Sequence, residues 1–147
     1  MGSRRDADRT GVAETIIGRH GLRPHPEGGW FVETWRGAAG ADGRATGTSI
    51  LFLLRSGERS HWHRIDATEI WHHHAGGPLR LVIVTVDGDR TEATIGDAVA
   101  GHAPMVVVPA RAWQSAEPLG DFALVGCTVT PGFLFEGFEL APPGWSP

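Results

Sequence analysis

From residue 22 onward, the 147-residue chain is a succession of short apolar runs, each closed by a glycine- or proline-rich breaker. The runs are 30-WFVETWR-36, 48-TSILFLL-54, 60-SHWHRI-65, 69-EIWHHH-74, 79-LRLVIVTV-86, 91-TEATI-95, 105-MVVVP-109 and 122-FALVGCTV-129. Between them stand EGG, GAAGADG, RSGE, AGGP and DGD, the last reading as a tight hairpin turn. Runs this short at this spacing leave no room for crossover helices. They predict one all-β domain over 1–147, an antiparallel sandwich or barrel. Ahead of them, 8-DRTGVAETIIGRH-20 places Val12, Ile16 and Ile17 on one helical face, with Gly21 positioned to stop a short helix. Residues 1–10 are expected to be disordered, and 141–147 to form an irregular tail.

Missing residue types narrow the chemistry. All 13 basic residues are Arg, and the chain has no Lys and no Tyr. Schiff-base lysine chemistry, a P-loop lysine and a tyrosine acid are therefore excluded. No GxSxG elbow is present. The single cysteine, Cys127, sits in the apolar run ALVGCTV, far in sequence from anything that lowers a thiol pKa, and it allows no internal disulfide. One cysteine and no leader-like apolar run fit a cytoplasmic protein. A net charge of −4 supplies no basic field for nucleic acid or an anionic membrane, and no run approaches a membrane span. His, Asp, Glu, Arg and a metal remain.

Five of the eight histidines fall in 60-SHWHRIDATEIWHHH-74. On an ideal strand His61 and His63 face the same side, about 6.6 Å apart. A hairpin through IDA returns Glu69 beside them. Two imidazoles and a carboxylate form an open site for Fe(II), Mn(II), Ni(II) or Zn(II). His73 shares strand parity with Glu69 and Trp71 and is a reserve ligand, whereas His72 and His74 read as surface or interface residues. His25 and His102, each close to a proline, read as structural or surface residues. Trp71, Trp113, Phe133 and Phe135 are candidate pocket walls. Glu33, polar on a strand of large apolar residues, is a candidate substrate-binding group or base. Arg36, Arg55, Arg64 and Arg80 are candidate carboxylate or phosphate binders, and Asp66 reads as a structural turn residue.

Gly57, His61, His63, Glu69 and Gly76 resemble the first motif of the cupin superfamily. The stretch 109-PARAWQ-114 resembles the second, with Arg111 where a glycine is usual and Gln114 where a histidine ligand is usual. The Arg111 replacement predicts a turn of another type, without a positive φ. The segments 24-PHPEGGWFVETWR-36, 63-HRIDATEIWHHHAGGPL-79, 108-VPARAWQSA-116 and 125-VGCTVTPGFLFEGFEL-140 are similar to the small stand-alone cupin-5 branch, a domain of unknown function. That resemblance spans residues 12–140. It implies a homodimeric, RmlC-like jelly roll: a double-stranded β-helix of two antiparallel sheets with a short N-terminal helix. It also implies a metal held by His61, His63 and Glu69, with Gln114 as a fourth or weak ligand, and a small-molecule ligand in the barrel.

Three functions fit this reading. The first is a metal-dependent isomerase, lyase or dioxygenase acting on a small organic acid or sugar-like substrate. The second is a metal-free, sugar-nucleotide epimerase-like enzyme with His63 as base, in which a group other than tyrosine donates the proton. The third is a non-catalytic small-ligand-binding protein.

Overall fold

The computed structural model describes residues 3–147. Of the stretch 1–10 expected to be disordered, residues 1 and 2 lie outside the described part, and the backbone of 3–10 belongs instead to helix α1, Ser3–His20. The helix ends as the sequence predicts. Gly21 adopts φ +66°, and the Leu22 N–H turns back to the Ile17 carbonyl at 3.0 Å, a glycine-closed C-terminus.

Eleven strands follow: β1 Arg23–Pro24, β2 Trp30–Arg36, β3 Thr48–Arg55, β4 Ser60–Ile65, β5 Thr68–Gly76, β6 Leu79–Val84, β7 Arg90–Ile95, β8 Met105–Val108, β9 Trp113–Pro118, β10 Phe122–Thr130 and β11 Phe138–Leu140. They form two antiparallel sheets, ordered β1-β2-β3-β10-β5-β8 and β11-β4-β9-β6-β7. This is the expected jelly roll. β1, β9 and β11 are additions to the sequence reading. β9 lies in the interior of its sheet, between β4 and β6. Its run WQSAEP has no β-branched residue and only Trp113 to favour a strand, so its composition announces one weakly.

Side-chain alternation explains the layers. On β3, Phe52 and Leu54 point between the sheets and pack with Trp71, Leu81, Ile95 and Val125. Leu51 and Leu53 point outward, where α1 covers them with Ala13, Ile16 and Ile17. The outer face of the second sheet has its own cover. Trp62, Val82 and Trp113 pack with Ala141 of the C-terminal segment, which contains no helix or strand beyond residue 140. Trp145 of that segment meets Trp113 at 4.6 Å between ring centroids.

One turn departs from expectation. Arg111 adopts φ +68°, so the β8–β9 turn keeps the left-handed geometry that a glycine would provide. The non-glycine residue costs about 1–2 kcal/mol there. Hydrogen bonds hold it in place: the Arg111 N–H donates to the Ile65 carbonyl at 2.7 Å, and the Ala112 N–H to the Pro109 carbonyl at 3.2 Å. Among the described residues no helix is long and apolar enough to cross a membrane.

Candidate functional site

A cavity of about 120 Å³ opens at one end of the sandwich, lined by residues including His25, Glu27, Glu33, Arg36, His63 and Glu69. Its central ionisable group is His63 on β4, 3% exposed. The imidazole Nδ1–H is shared between Glu27 Oε2 at 2.7 Å and the His61 carbonyl at 2.8 Å. The Ser60 hydroxyl donates to the same Glu27 oxygen at 3.1 Å. With Nδ1 committed, Nε2 is the nitrogen left for the cavity the ring lines.

Glu27 comes from the turn 24-PHPEGG-29, which the sequence reading did not single out for chemistry. The turn is closed by the His25 N–H on the Gly29 carbonyl at 2.9 Å and the Gly28 N–H on the His25 carbonyl at 3.0 Å. Gly28 and Gly29 take φ +110° and +73°. A Cβ on Gly28 would stand 2.0 Å from the Arg59 carbonyl oxygen, so only glycine lets this turn lie against the chain entering β4. The Glu27 carbonyl accepts the His61 N–H at 2.8 Å, which ties the turn to β4 beside His63. His25, read as structural or surface, is instead a wall of the cavity. Its Nδ1 accepts the Glu27 N–H at 3.1 Å, and its ring meets Phe31 edge-on at 4.5 Å. The signal was available: a lone carboxylate inside PHPEGG, between a proline and two glycines, is a charged group held by a rigid turn.

Glu69 reaches the cavity from β5. Its Oε1 accepts the Gln114 side-chain N–H at 2.8 Å, and Gln114 Oε1 accepts the Trp71 indole N–H at 2.9 Å. Indole nitrogen only donates, so the amide is oriented: oxygen to Trp71, nitrogen to Glu69. Gln114 is fully buried and sits beside His63 in the β4–β9 ladder.

The electrostatics follow from this packing. Burial alone would depress His63, but the Glu27 carboxylate and its hydrogen bond, with Glu69 behind them, outweigh it and push the imidazole up to about 9. Burial opposes ionisation of Glu27, yet the charge and hydrogen bond of His63 bring it below the usual carboxylate range. Glu69 has no such partner. Burial, reinforced by Glu27 and only partly offset by His63, pushes it up to about 7. Burial also raises the Cys127 thiol in the cavity wall, which argues against a thiolate nucleophile.

The structure thus brings His63, Glu69 and Gln114 together and leaves His61 out. The β4–β9 pairing is irregular between Ser60 and His63. Ser60 and His63 both turn inward, while His61 Nε2 lies on the Pro142 carbonyl at 3.0 Å. His73 is also elsewhere, with Nε2 on the Gly77 carbonyl at 3.0 Å. The donor set implied for a divalent metal does not fit. One histidine is on the wrong side, both ends of the Gln114 amide are spent, and His63 has one nitrogen to offer. Among the described residues no three His, Cys, Asp or Glu side chains are placed to hold an ion.

Of the expected pocket walls, Phe133 and Phe135 line the cavity. Trp71 is in the core between the sheets, edge-on to Phe52. Trp113 is on the outer face of the second sheet, under the Arg64 guanidinium at 4.5 Å. Glu33 lines the cavity at its solvent edge, paired with Arg36 at 2.8 Å. Asp66 anchors a loop, accepting two hydrogen bonds from Arg44 at 2.8 and 3.1 Å.

Comparison with known proteins agrees with this architecture. The family model described as Cupin superfamily (DUF985), Cupin_5, matches residues 14–141. A crystal structure of a Shewanella oneidensis protein is 40% identical with a TM-score of 0.82, covering 88% of this chain and 84% of that one. A hypothetical protein from Leishmania major is 32% identical with a TM-score of 0.80, covering 88% of this chain and 86% of that one. Oxalate decarboxylase from Bacillus subtilis shares the fold at 18% identity and a TM-score of 0.58, with 80% of this chain matched to 29% of that one. No match is found among curated proteins. The chain belongs to the Cupin_5 (DUF985) family of the cupin superfamily.

Proposed function

We propose that this cupin binds a small molecule in the cavity and moves a proton at a carbon next to a carbonyl group, with His63 as the proton-transferring residue and no metal required. The reading is of the isomerase or epimerase kind. The observation that carries it is the buried His63–Glu27 pair. A carboxylate on Nδ1 fixes the ring and stabilises the imidazolium, so that at neutral pH Nε2 holds a proton ready for the substrate. Nε2 meets the cavity. Glu69, held near neutrality, is a second group on the same cavity able to hold a proton, a role for which the chain has no tyrosine. The apolar walls keep water from competing. A metal-dependent lyase or dioxygenase would need His61 to cross the strand and Gln114 to release both Trp71 and Glu69.

The test is solvent deuterium exchange into enolisable carbonyl compounds, followed by NMR in the presence of a chelator. The wild type should exchange the α-proton. His63→Gln should lose at least about a hundredfold, the usual scale of a general acid or base. Exchange that needs added Fe(II), Mn(II), Ni(II) or Zn(II) would reverse the reading in favour of a metal centre. Homodimerisation and a cytoplasmic location are further parts of the proposal. The first is checked by light scattering on the eluting protein.

A further inference from the structure

We propose that the ligand of this cavity is a small uncharged carbonyl compound with a planar apolar body, and not a phosphorylated or nucleotide-linked sugar. The inference rests on the reading of His63 above and narrows its substrate class.

Three observations carry it. The first is charge. The cavity holds two buried carboxyl groups, Glu27 and Glu69, against two imidazoles: His63, which Glu27 already engages, and His25, whose burial opposes taking a charge. Of the arginines, Arg36 alone is among the residues lining the cavity, and it is already paired. Arg36, at the cavity edge, is on Glu33 at 2.8 Å. Arg55 is on Glu58 and Glu14, Arg64 on Glu139, and Arg80 on Glu92 and Glu117. An anionic ligand at His63 would compete with Glu27 for the imidazole and face Glu69 without a compensating cation. The second is size. About 120 Å³ is room for roughly four waters and somewhat less than the about 150 Å³ that holds a benzene, so a small ring enters with part of the molecule at the mouth, and a nucleoside diphosphate is excluded. The third is the wall. Phe31, Ile50, Ile65, Phe133, Phe135 and Phe138 surround the polar end. Phe133 and Phe135 meet edge-on at 5.0 Å, and Phe133 and Phe138 at 5.8 Å. Phe135, on the 3-10 turn Phe135–Gly137, lines the cavity although it is 61% exposed. An aromatic ring left this open at a cavity mouth is a surface for a planar ligand to cover.

The experiment titrates wild type and Phe135→Ala with phenylacetone, phenylacetate, glucose 1-phosphate and UDP-glucose, by calorimetry and by amide chemical shifts. Thermal melting confirms that the variant, which loses a mostly exposed ring, stays folded. Phenylacetone should bind the wild type, shifting amides around the cavity, and phenylacetate should bind at least about tenfold more weakly. Phe135→Ala should weaken phenylacetone about five- to tenfold. Tighter binding of either sugar compound, or no binding of phenylacetone up to its solubility, overturns the inference. Phenylacetone binding without α-proton exchange leaves the ligand class standing and sinks the acid–base reading. Exchange on a sugar nucleotide does the reverse.

Discussion

Two segments meet at His63, and they contribute unequally. The stretch 60–74 carries five histidines, yet only one imidazole from it enters the cavity. The others are on carbonyls or at the outer faces of the sheets, as His61 is on Pro142 and His73 on Gly77. The turn 24–29 carries one carboxylate and delivers it to the one atom that matters, His63 Nδ1. Abundance of a reactive residue type says little about where it points. A turn whose backbone admits a single conformation says a great deal.

The comparison predicts that the turn is the more fragile partner. Glu27→Ala breaks a buried pair, forcing His63 to give up its proton and leaving the Ser60 hydroxyl without its acceptor, and should cost about 3–5 kcal/mol in urea unfolding at pH 7. A loss below about 1 kcal/mol would mean that the pair is no stronger than a surface ion pair. Next in size, Gly28→Ala should cost about 3 kcal/mol, adding a backbone clash to a positive φ. Gly57→Ala, at φ +84° with nothing within 4 Å, should cost about 1–2 kcal/mol. Equal losses at the two glycines would remove the special status of the turn.

The third prediction concerns pH. The folded pKa of His63 is raised above its ordinary value, so its stabilisation is complete below about pH 6.5 and is lost as pH rises through about 9. Glu69 is also raised, so ionising it between its ordinary range and about pH 7 removes stability as well. With no Lys and no Tyr in the chain, few side chains titrate between pH 8 and 10. Cys127, also raised, adds a loss of its own above about pH 8.5 in both proteins, so His63 alone should account for on the order of 2–3 kcal/mol lost by wild type between pH 7 and 10, and Glu27→Gln should show a flatter profile over that interval. Parallel profiles would break the link to Glu27. The smallest effect belongs to the histidine stretch. His61→Ala, removing one partly exposed bond to a carbonyl, should change stability by about 0.5 kcal/mol and leave α-proton exchange as in wild type. A loss of exchange comparable to that of His63→Gln would restore His61 to the site.

Legibility followed the same division. The two-sheet architecture was readable because alternation and breakers report directly on strands and turns, and the helix stop was readable at Gly21. The edge of legibility was wherever a local irregularity or a neighbour decides. Alternation placed His61 with His63, but the irregularity between Ser60 and His63 is set by pairing with β9, whose own run WQSAEP announces a strand only weakly. Trp113 is next to Gln114 in sequence, and the pleat sends it to the opposite face, as alternation on an ideal strand already indicates. Arg111 was expected to abandon a positive φ, whereas the tertiary hydrogen bond to Ile65 keeps the turn and the residue carries the strain. Glu27 and His25 fall within a family-like segment but show no role in sequence, because the contact that gives Glu27 one reaches from the turn to His63 on β4, far along the chain.

The most direct measurement is an NMR titration of the His63 ring in protein carrying labelled histidine, for wild type and Glu27→Gln. The account predicts that wild-type His63 stays doubly protonated through neutral pH and titrates near 9, and that Glu27→Gln brings it down toward or below about 6.5. A wild-type ring that titrates at or below about 6.5 and ignores the substitution would contradict the claim that Glu27 makes His63 the proton-holding group of the cavity.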